Sequence, residues 1–233
     1  MTSVIEEARL LDNVVWHAID GPLSALAERV GQAGRFHAEV GPFAAIADNS
    51  PDAWNDLATL VGAGKGTVLF APTVEVAQGW VREHTIPCFQ MIARDVAAPR
   101  SDFDFVELEP SDVDDMLGLI QETQPGPFGP RTIEFGRYIG YKVDGRLVAM
   151  AGERLRCRGF TEVSAVCTAI DYRGRGLAGA LTLAVVRHIR ARGDEAFLHV
   201  ASTNENAHRL YLALGFVDRV EAEAVIVRNE GSG

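Results

Sequence analysis

The fold is decided by the stretch Glu162-Val-Ser-Ala-Val-Cys-Thr-Ala-Ile-Asp-Tyr-Arg-Gly-Arg-Gly-Leu-Ala-Gly-Ala180. Its first half is apolar and rich in β-branched residues, which predicts a strand. A loop containing Gly174 and Gly176 follows, and we expect a helix to begin near Leu177. The first backbone N–H groups of a helix lack internal partners and lie at its positive dipole end. A strand, a glycine loop and a helix in this order therefore predict a phosphate-binding site.

Two positive charges stand out in this stretch because the rest of the chain is acidic. The 233 residues carry a formal net charge of −10, with 47% hydrophobic and 23% charged residues. This composition is typical of an ordinary globular protein, and the negative charge disfavours nucleic acid and anionic membranes as partners. Arg173 and Arg175 in the glycine loop then favour an anionic ligand at that place.

One interpretation of the loop is a dinucleotide site, because Gly174, Gly176 and Gly179 fit Gly-x-Gly-x-x-Gly. That fold also needs an acidic residue about 20 positions on, at the end of the second strand. Asp194 and Glu195 have the spacing, but they precede the next predicted strand, and fewer than sixty residues follow the loop. Nicotinamide binding is thus the third hypothesis, and a fluorescence titration tests it.

A second interpretation accounts for more of the sequence. Arg173-x-x-Gly176-x-Ala178 resembles the Gln/Arg-x-x-Gly-x-Gly/Ala signature of the GNAT N-acetyltransferases. Asn204-x-x-Ala207-x-x-x-Tyr211-x-x-x-Gly215-Phe216 resembles the motif that follows in that family. The chain is most similar to the FR47-like branch, which is related to glycine N-acyltransferase, over roughly residues 103–228.

The resemblance implies the fold class α/β (α+β). We expect the GNAT fold, a mixed and mostly antiparallel sheet flanked by helices, in residues 99–233. Residues 1–98 alternate predicted helices and strands, with one helix near Val74–Glu83, but contain no pyrophosphate signature. They form either a degenerate GNAT-like half or an unrelated α/β cap. The polar segment Arg94–Asp104 is interpreted as the linker.

The resemblance also implies acetyl-CoA as the acyl donor. Val166, Cys167 and Thr168 would bind pantetheine and polarise the thioester carbonyl through their backbone groups. The remaining predicted cofactor-binding residues are Arg173, Gly174, Arg175, Gly176, Leu177, Ala178, Gly179, Asn204 and Asn206.

Two side chains are candidates for acid–base catalysis. Tyr211 matches the family's general acid, since a phenol is mostly protonated at neutral pH and can protonate a thiolate. Glu162 stands eleven residues before Arg173, a spacing shared with the base of the histone-acetylating branch. The alternatives are a packed helix residue for Tyr211 and a solvated strand residue for Glu162. His199 and His208 are expected to be structural or to face solvent.

The acceptor site is predicted in the proline-rich loop Thr123–Thr132, where Phe128 and Arg131 could contact the acceptor. Arg131 would bind a carboxylate. No metal is predicted, because the three cysteines share no metal-ligand spacing and are interpreted as free thiols. Without a secretory signal pattern at the N-terminus, we expect a cytoplasmic protein.

The function that the sequence favours is transfer of an acetyl group from acetyl-CoA to a primary amine, directly within a ternary complex. A ping-pong route through Cys167 is less favoured, because neither a base nor a cause for a lowered pKa is evident beside it. The alternative is an acyl-CoA-binding sensor without turnover. The acceptor, the acyl chain preference and the oligomeric state stay open.

Overall fold

The computed structural model describes residues 8–96 and 103–231. Its α-helices are α1 (Val14–Ile19), α2 (Pro51–Val61), α3 (Val113–Thr123), α4 (Leu177–Ala191) and α5 (Glu205–Ala213). Its strands are β1 (Ala27–Val30), β2 (Ala33–Phe36), β3 (Ala44–Ile46), β4 (Gly66–Ala71), β5 (Trp80–Ala93), β6 (Val106–Leu108), β7 (Tyr138–Val143), β8 (Arg146–Cys157), β9 (Phe160–Thr168), β10 (Glu195–Ala201) and β11 (Phe216–Asn229). No helix of the described residues is long and apolar enough to cross a membrane.

Eight of these strands form one sheet in the order β4-β11-β5-β10-β9-β8-β7-β6. Strands β9 and β10 pair in parallel, and the other neighbours in this sheet are antiparallel. Strands β1 to β3 form a separate three-stranded sheet. The predicted fold class, a mixed and mostly antiparallel sheet flanked by helices, is confirmed.

The first part of the chain contributes two strands to the large sheet. Strand β5 lies between β10 and β11, and β4 pairs with the other side of β11. Residues before and after the predicted division at 98 and 99 therefore share one continuous sheet. The division itself and most of the predicted linker fall on residues 97–102, outside the described residues. The helix predicted near Val74–Glu83 is wrong, because β5 already begins at Trp80.

Helices cover both faces of the sheet. On one face, Leu181, Val185 and Ile189 of α4 pack in a cluster with residues of β8, β9 and β10. On the other face, Val15 and Ile19 of α1 belong to a second buried cluster, which contains the strand residues Leu155, Phe160 and Phe197. Side chains alternate between the two faces along each strand. The first part of the chain thus supplies one of the two layers that bury β9 and β10.

Deleting residues 1–95 is expected to leave a chain that does not fold into a stable monomer. The deletion removes β5, so the facing edges of β10 and β11 would present unpaired backbone groups to solvent. Open edges of this kind favour aggregation. Circular dichroism and size-exclusion chromatography on residues 96–233 would measure this. A monomer with a cooperative melting transition would mean that the remaining sheet is stable without β5.

Candidate active site

Strands β9 and β10 separate at the centre of the sheet. Their parallel register contains only the pairs Glu195 with Phe160, Ala196 with Thr161 and Phe197 with Glu162. Beyond Glu162, β9 continues to Thr168 with β8 as its partner on one side and no described strand on the other. The result is a gap between the two strands in which backbone groups of β9 remain available to a ligand. We refer to this space as the strand gap.

An irregularity in β9 lies beside the strand gap. Met150 of β8 pairs with Cys167, but Gly152 pairs with Ser164, so β9 has one residue more than β8 in this interval. Ala165 has φ of 51°, which is uncommon for a residue with a side chain. This is a β-bulge, and bulges redirect the backbone and side chains next to them. The predicted pantetheine-binding residues Val166, Cys167 and Thr168 follow directly.

The glycine loop connects this end of β9 to α4. Gly174 has φ of 77°, and Gly176, the residue before the first turn of α4, has φ of 83°. A Cβ atom at either position would meet no protein atom within 4 Å, so the glycines are needed for backbone conformation and not for lack of room. The N–H groups of the first turn of α4 lie at the loop, as a phosphate site requires.

The two arginines of the loop are exposed and held by local contacts. Arg173 Nε donates a hydrogen bond to the Thr168 carbonyl oxygen at 3.3 Å. The Arg175 guanidinium lies 4.6 Å from the centre of the Tyr172 ring and donates to the Asp171 carbonyl oxygen. Neither forms an ion pair within the described residues. Their positive charges are therefore available to an anion at the loop.

The second predicted motif forms the start of α5. Asn204 caps this helix, since its Oδ1 accepts a hydrogen bond from the Ala207 N–H at 3.2 Å. Asn206 Oδ1 accepts from Arg209 Nη2 at 2.6 Å. Both asparagines are exposed, so the local role of capping and a contact with a ligand are compatible.

Tyr211 is buried on α5, with 8% of its surface exposed. Its ring lies 5.8 Å from the Phe216 ring, in the same cluster as Val166 of β9. Burial and, to a smaller extent, the neighbouring Cys167 raise the pKa of the Tyr211 phenol to about 12. The phenol is consequently protonated at neutral pH and lies near the end of β9.

Glu162 is fully buried in an ion-pair network. Its two carboxylate oxygens accept from Arg154 Nε and Nη2, each at 2.7 Å, and one of them lies 2.7 Å from His199 Nδ1. The Leu155 N–H donates to the same carboxylate at 3.3 Å. Burial alone would raise the pKa of Glu162, but Arg154 and His199 outweigh it and lower the pKa to about 2. The raised pKa that a general base would need is not found.

The two histidines considered beside this motif have ordinary structural surroundings. His199 is buried, its Nε2 lies 2.9 Å from Gln90 Nε2, and burial lowers its pKa despite the contact with Glu162. His208 bonds Asp218 at 2.8 Å and stacks on Phe89. Both histidines thus have side-chain partners, and His208 is half-buried.

The predicted acceptor loop lies on a small cavity beside the bulge. The ring of Phe128 packs edge-on against Tyr138, with ring centres 5.7 Å apart. Arg131 is exposed and bonds both carboxylate oxygens of Glu134, at 2.7 and 2.8 Å, and approaches Glu39 at 3.7 Å. Arg131 is thus already paired, whereas Phe128 lines the cavity that also reaches Ala165.

Arg154 and Tyr138, which meet at this cavity, were not predicted from the sequence. A signal for Arg154 was present, because charged residues are uncommon inside the apolar strand that it occupies. The three cysteines are free and buried, and the described residues contain no group of three or more possible metal ligands.

A larger cavity of about 240 Å³ lies elsewhere, between β3, β4 and the segment around Asp12. Strand β4 is three strands away from β10, which corresponds to about 14 Å at the usual strand spacing. This cavity therefore does not adjoin the strand gap.

Comparisons with known proteins identify the family to which the chain belongs. The family described as FR47-like protein matches residues 138–225. A crystal structure from Novosphingobium aromaticivorans, described as an acetyltransferase of the GNAT family, is 39% identical, covers 95% of this chain and 99% of its own, and has a TM-score of 0.85. A GCN5-related N-acetyltransferase from Kribbella flavida has a TM-score of 0.63 at 16% identity, covering 97% of this chain and 96% of its own, and supports the fold alone.

Mycothiol acetyltransferase from Thermobispora bispora is 48% identical over 56 residues. That segment is 24% of this chain and 19% of the relative, so the chain matches about a fifth of that protein's length. The match is short, whereas the Novosphingobium protein is similar along nearly its whole length. The resemblance predicted from the two motifs is confirmed: the chain belongs to the GNAT family of acetyltransferases and is similar to its FR47-like branch over residues 138–225.

Proposed function

We propose that this protein transfers an acetyl group from acetyl-CoA to a primary amine, directly within a ternary complex. The observation that carries the proposal is the strand gap, with a bulge in β9 on one side and the glycine loop at its end. These features supply unpaired backbone groups next to a phosphate-binding turn. A donor with both a pyrophosphate and an extended amide arm fits this arrangement.

Each part of the donor has a matching group on the chain. The first N–H groups of α4, together with Arg173 and Arg175, would bind the pyrophosphate by hydrogen bonds and charge. The backbone of Val166–Thr168 would bind the pantetheine arm and donate a hydrogen bond to the thioester carbonyl. Such a fixed donor stabilises the negative charge that develops on that oxygen as the amine attacks.

The cysteine nearest to the gap favours direct transfer. An acyl-enzyme route through Cys167 would require a thiolate, but burial raises the pKa of this thiol to about 11. Tyr211, by contrast, is protonated at neutral pH and can donate its proton to the CoA thiolate as it leaves. The residues beside the gap thus favour an acid for the leaving group over a nucleophile of their own.

The group that accepts the proton of the attacking amine has to be considered separately. That Glu162 accepts the amine proton stays a prediction, and its buried ion pair favours another role. A carboxylate with a pKa of about 2 attracts a proton from an alkyl ammonium only weakly. Glu162 joins three strands where the gap begins, through Arg154 on β8 and His199 on β10. We propose that it positions these strands and that the amine proton leaves through water.

The experiment is a panel of amines incubated with acetyl-CoA while release of free thiol is followed. Release with at least one amine supports the proposal. Release with none, combined with stabilisation of the fold by acetyl-CoA, would favour the alternative of an acyl-CoA-binding sensor. Absence of both results would contradict CoA binding itself.

A Gly176→Val variant is expected to lose stabilisation by acetyl-CoA. A valine at φ of 83° is strained and would project into the space where the pyrophosphate is expected. At a ligand concentration of 100 times Kd, binding stabilises a folded protein by about 2.7 kcal/mol, which a thermal shift readily detects.

Gly64→Val is the matched control for this variant. Gly64 has φ of 73° and equally open surroundings, but it lies in the turn between α2 and β4. The Gly64→Val control should have similar backbone strain but should still show the thermal shift with acetyl-CoA. An unchanged shift in the Gly176 variant would contradict the pyrophosphate assignment.

A further inference from the structure

A small, partly open cavity of about 20 Å³ lies next to the bulge in β9. Ser164 and Ala165 of the bulge line it, and so do residues 125–128 of the predicted acceptor loop. Tyr138 at the start of β7 and Arg154 of β8 also line it, together with Ile120 and Thr132. A space of this size holds about one or two non-hydrogen atoms. The cavity is therefore dimensioned for one small group next to the proposed reaction site.

Tyr138, one of the residues that line this cavity, carries an unsatisfied hydroxyl group. The residue is 1% exposed, and its hydroxyl has no hydrogen-bond partner among the described residues. Burial raises the pKa of this phenol further above its ordinary value, so it carries its proton throughout the accessible pH range. Buried polar groups in native proteins nearly always have a partner. The hydroxyl thus indicates a hydrogen-bonding occupant.

Arg154 is the second donor at the cavity. Glu162 occupies its Nε and Nη2, which leaves Nη1 for another partner, and the guanidinium lies 4.9 Å from the centre of the Phe43 ring. The charge of Arg154 is already balanced by Glu162. An additional buried anion would have no countercharge of its own, so a neutral acceptor atom is favoured.

The hydroxyl of Thr132, which also lines the cavity, has already used its one donor. Thr132 Oγ1 donates to the Val40 carbonyl oxygen and accepts from the Gly129 N–H, each at 2.7 Å. The side-chain groups left at the cavity are then the Tyr138 hydroxyl, Arg154 Nη1 and the Ser164 hydroxyl, all of which can donate. A cavity lined by several donors favours an oxygen atom as acceptor.

We infer that this cavity receives the carbonyl oxygen of an acceptor that carries its amine on the adjacent carbon, as an α-amino amide does. The inference rests on the proposed function, because the proposed thioester site begins at Val166, directly after the bulge residue Ala165. A carbonyl oxygen held by Tyr138 and Arg154 must then lie within a few bonds of the reacting nitrogen. The α-amino amides include amino-acid amides and the N-termini of peptides.

The experiment compares three probes, glycinamide, glycine and ethylamine, on the wild type and on Tyr138→Phe. Both kcat/KM with acetyl-CoA and the Kd measured calorimetrically in the presence of CoA are determined. We expect the wild type to prefer glycinamide, and Tyr138→Phe to weaken both parameters for glycinamide about tenfold, the effect of one lost hydrogen bond. Both kcat/KM and Kd for ethylamine should be unaffected by the substitution.

Tyr141→Phe on the same strand is the matched control and should change neither parameter. Tyr138→Phe should fold, since it removes a hydroxyl that has no protein partner. Equal weakening for glycinamide and ethylamine would overturn the inference and assign the cavity to a bound water. If the wild type preferred glycine over glycinamide, the cavity would bind a carboxylate, and the inference of a neutral carbonyl oxygen would be overturned.

The readouts separate the two proposals. If ethylamine is acetylated but glycinamide gains nothing from Tyr138, the inference fails and the proposed function stands. If glycinamide binds with an affinity that depends on Tyr138 but no amine is acetylated, the cavity assignment stands and the proposed function fails.

Discussion

Glu162→Gln is expected to destabilise the protein by roughly 3–5 kcal/mol, the cost of breaking a buried ion pair by removing one partner. Glutamine keeps the shape of the side chain but leaves the buried guanidinium of Arg154 without a countercharge. The substitution also removes the carboxylate that contacts His199 Nδ1. Urea unfolding at neutral pH measures the change. Glu134→Gln is the control, because its pair with Arg131 is exposed and should contribute less than about 1 kcal/mol.

The same carboxylate predicts a loss of stability on acidification. The pKa of Glu162 is about 2 in the folded protein against an ordinary 4.5, so its contribution is present above 4.5 and is lost as the pH falls towards 2. The lowered pKa of His199 adds a loss that begins below its ordinary value of 6.5. Glu162→Gln should flatten the lower part of this profile. If Glu162→Gln were as stable as the Glu134→Gln control and its stability depended on pH as in the wild type, the buried ion pair would be contradicted.

The local part of the fold could be predicted from the sequence because its signals lie within a few residues of each other. The strand before the glycine loop, the two glycines and the start of α4 at Leu177 all follow from chain conformation and helix geometry. The same holds for the cap at Asn204. Phosphate-binding turns of this kind require particular backbone angles, and glycine reports those angles directly.

The position of β5 could not be predicted in this way. Val74, Ala77 and Val81 are spaced as on one face of a helix, and local periodicity cannot detect a partner strand far along the chain. Strand β5 pairs with β11, from Ala93 opposite Phe216 to Trp80 opposite Asn229. This pairing, and not local propensity, determines the conformation of the segment.

The cavity at Tyr138 was missed for a related reason. Tyr138 pairs with Gly152 on β8, and a Cβ atom at Gly152 would lie 2.2 Å from the Tyr138 ring. Only glycine leaves room for the ring there, which places the phenol beside Arg154. The pairing of Tyr138 with Gly152 and the close contact between them create this arrangement together. Neither feature corresponds to a sequence motif. The charges Glu162 and Arg154, eight residues apart in apolar strands, were the one available signal.

Tyr211→Phe is expected to lower kcat by about 100-fold or more, as the loss of one acid–base group typically does. The ring and its packing against Phe216 remain, so stability and the thermal shift with acetyl-CoA should be nearly unchanged. Because burial raises the pKa of Tyr211 to about 12, the wild-type rate should show no decline from its ionisation below about pH 11. Steady-state kinetics with one amine, with Tyr141→Phe as the control, measure the effect. If kcat of the Tyr211 variant equals that of the wild type, Tyr211 is a packing residue and water protonates the departing thiolate.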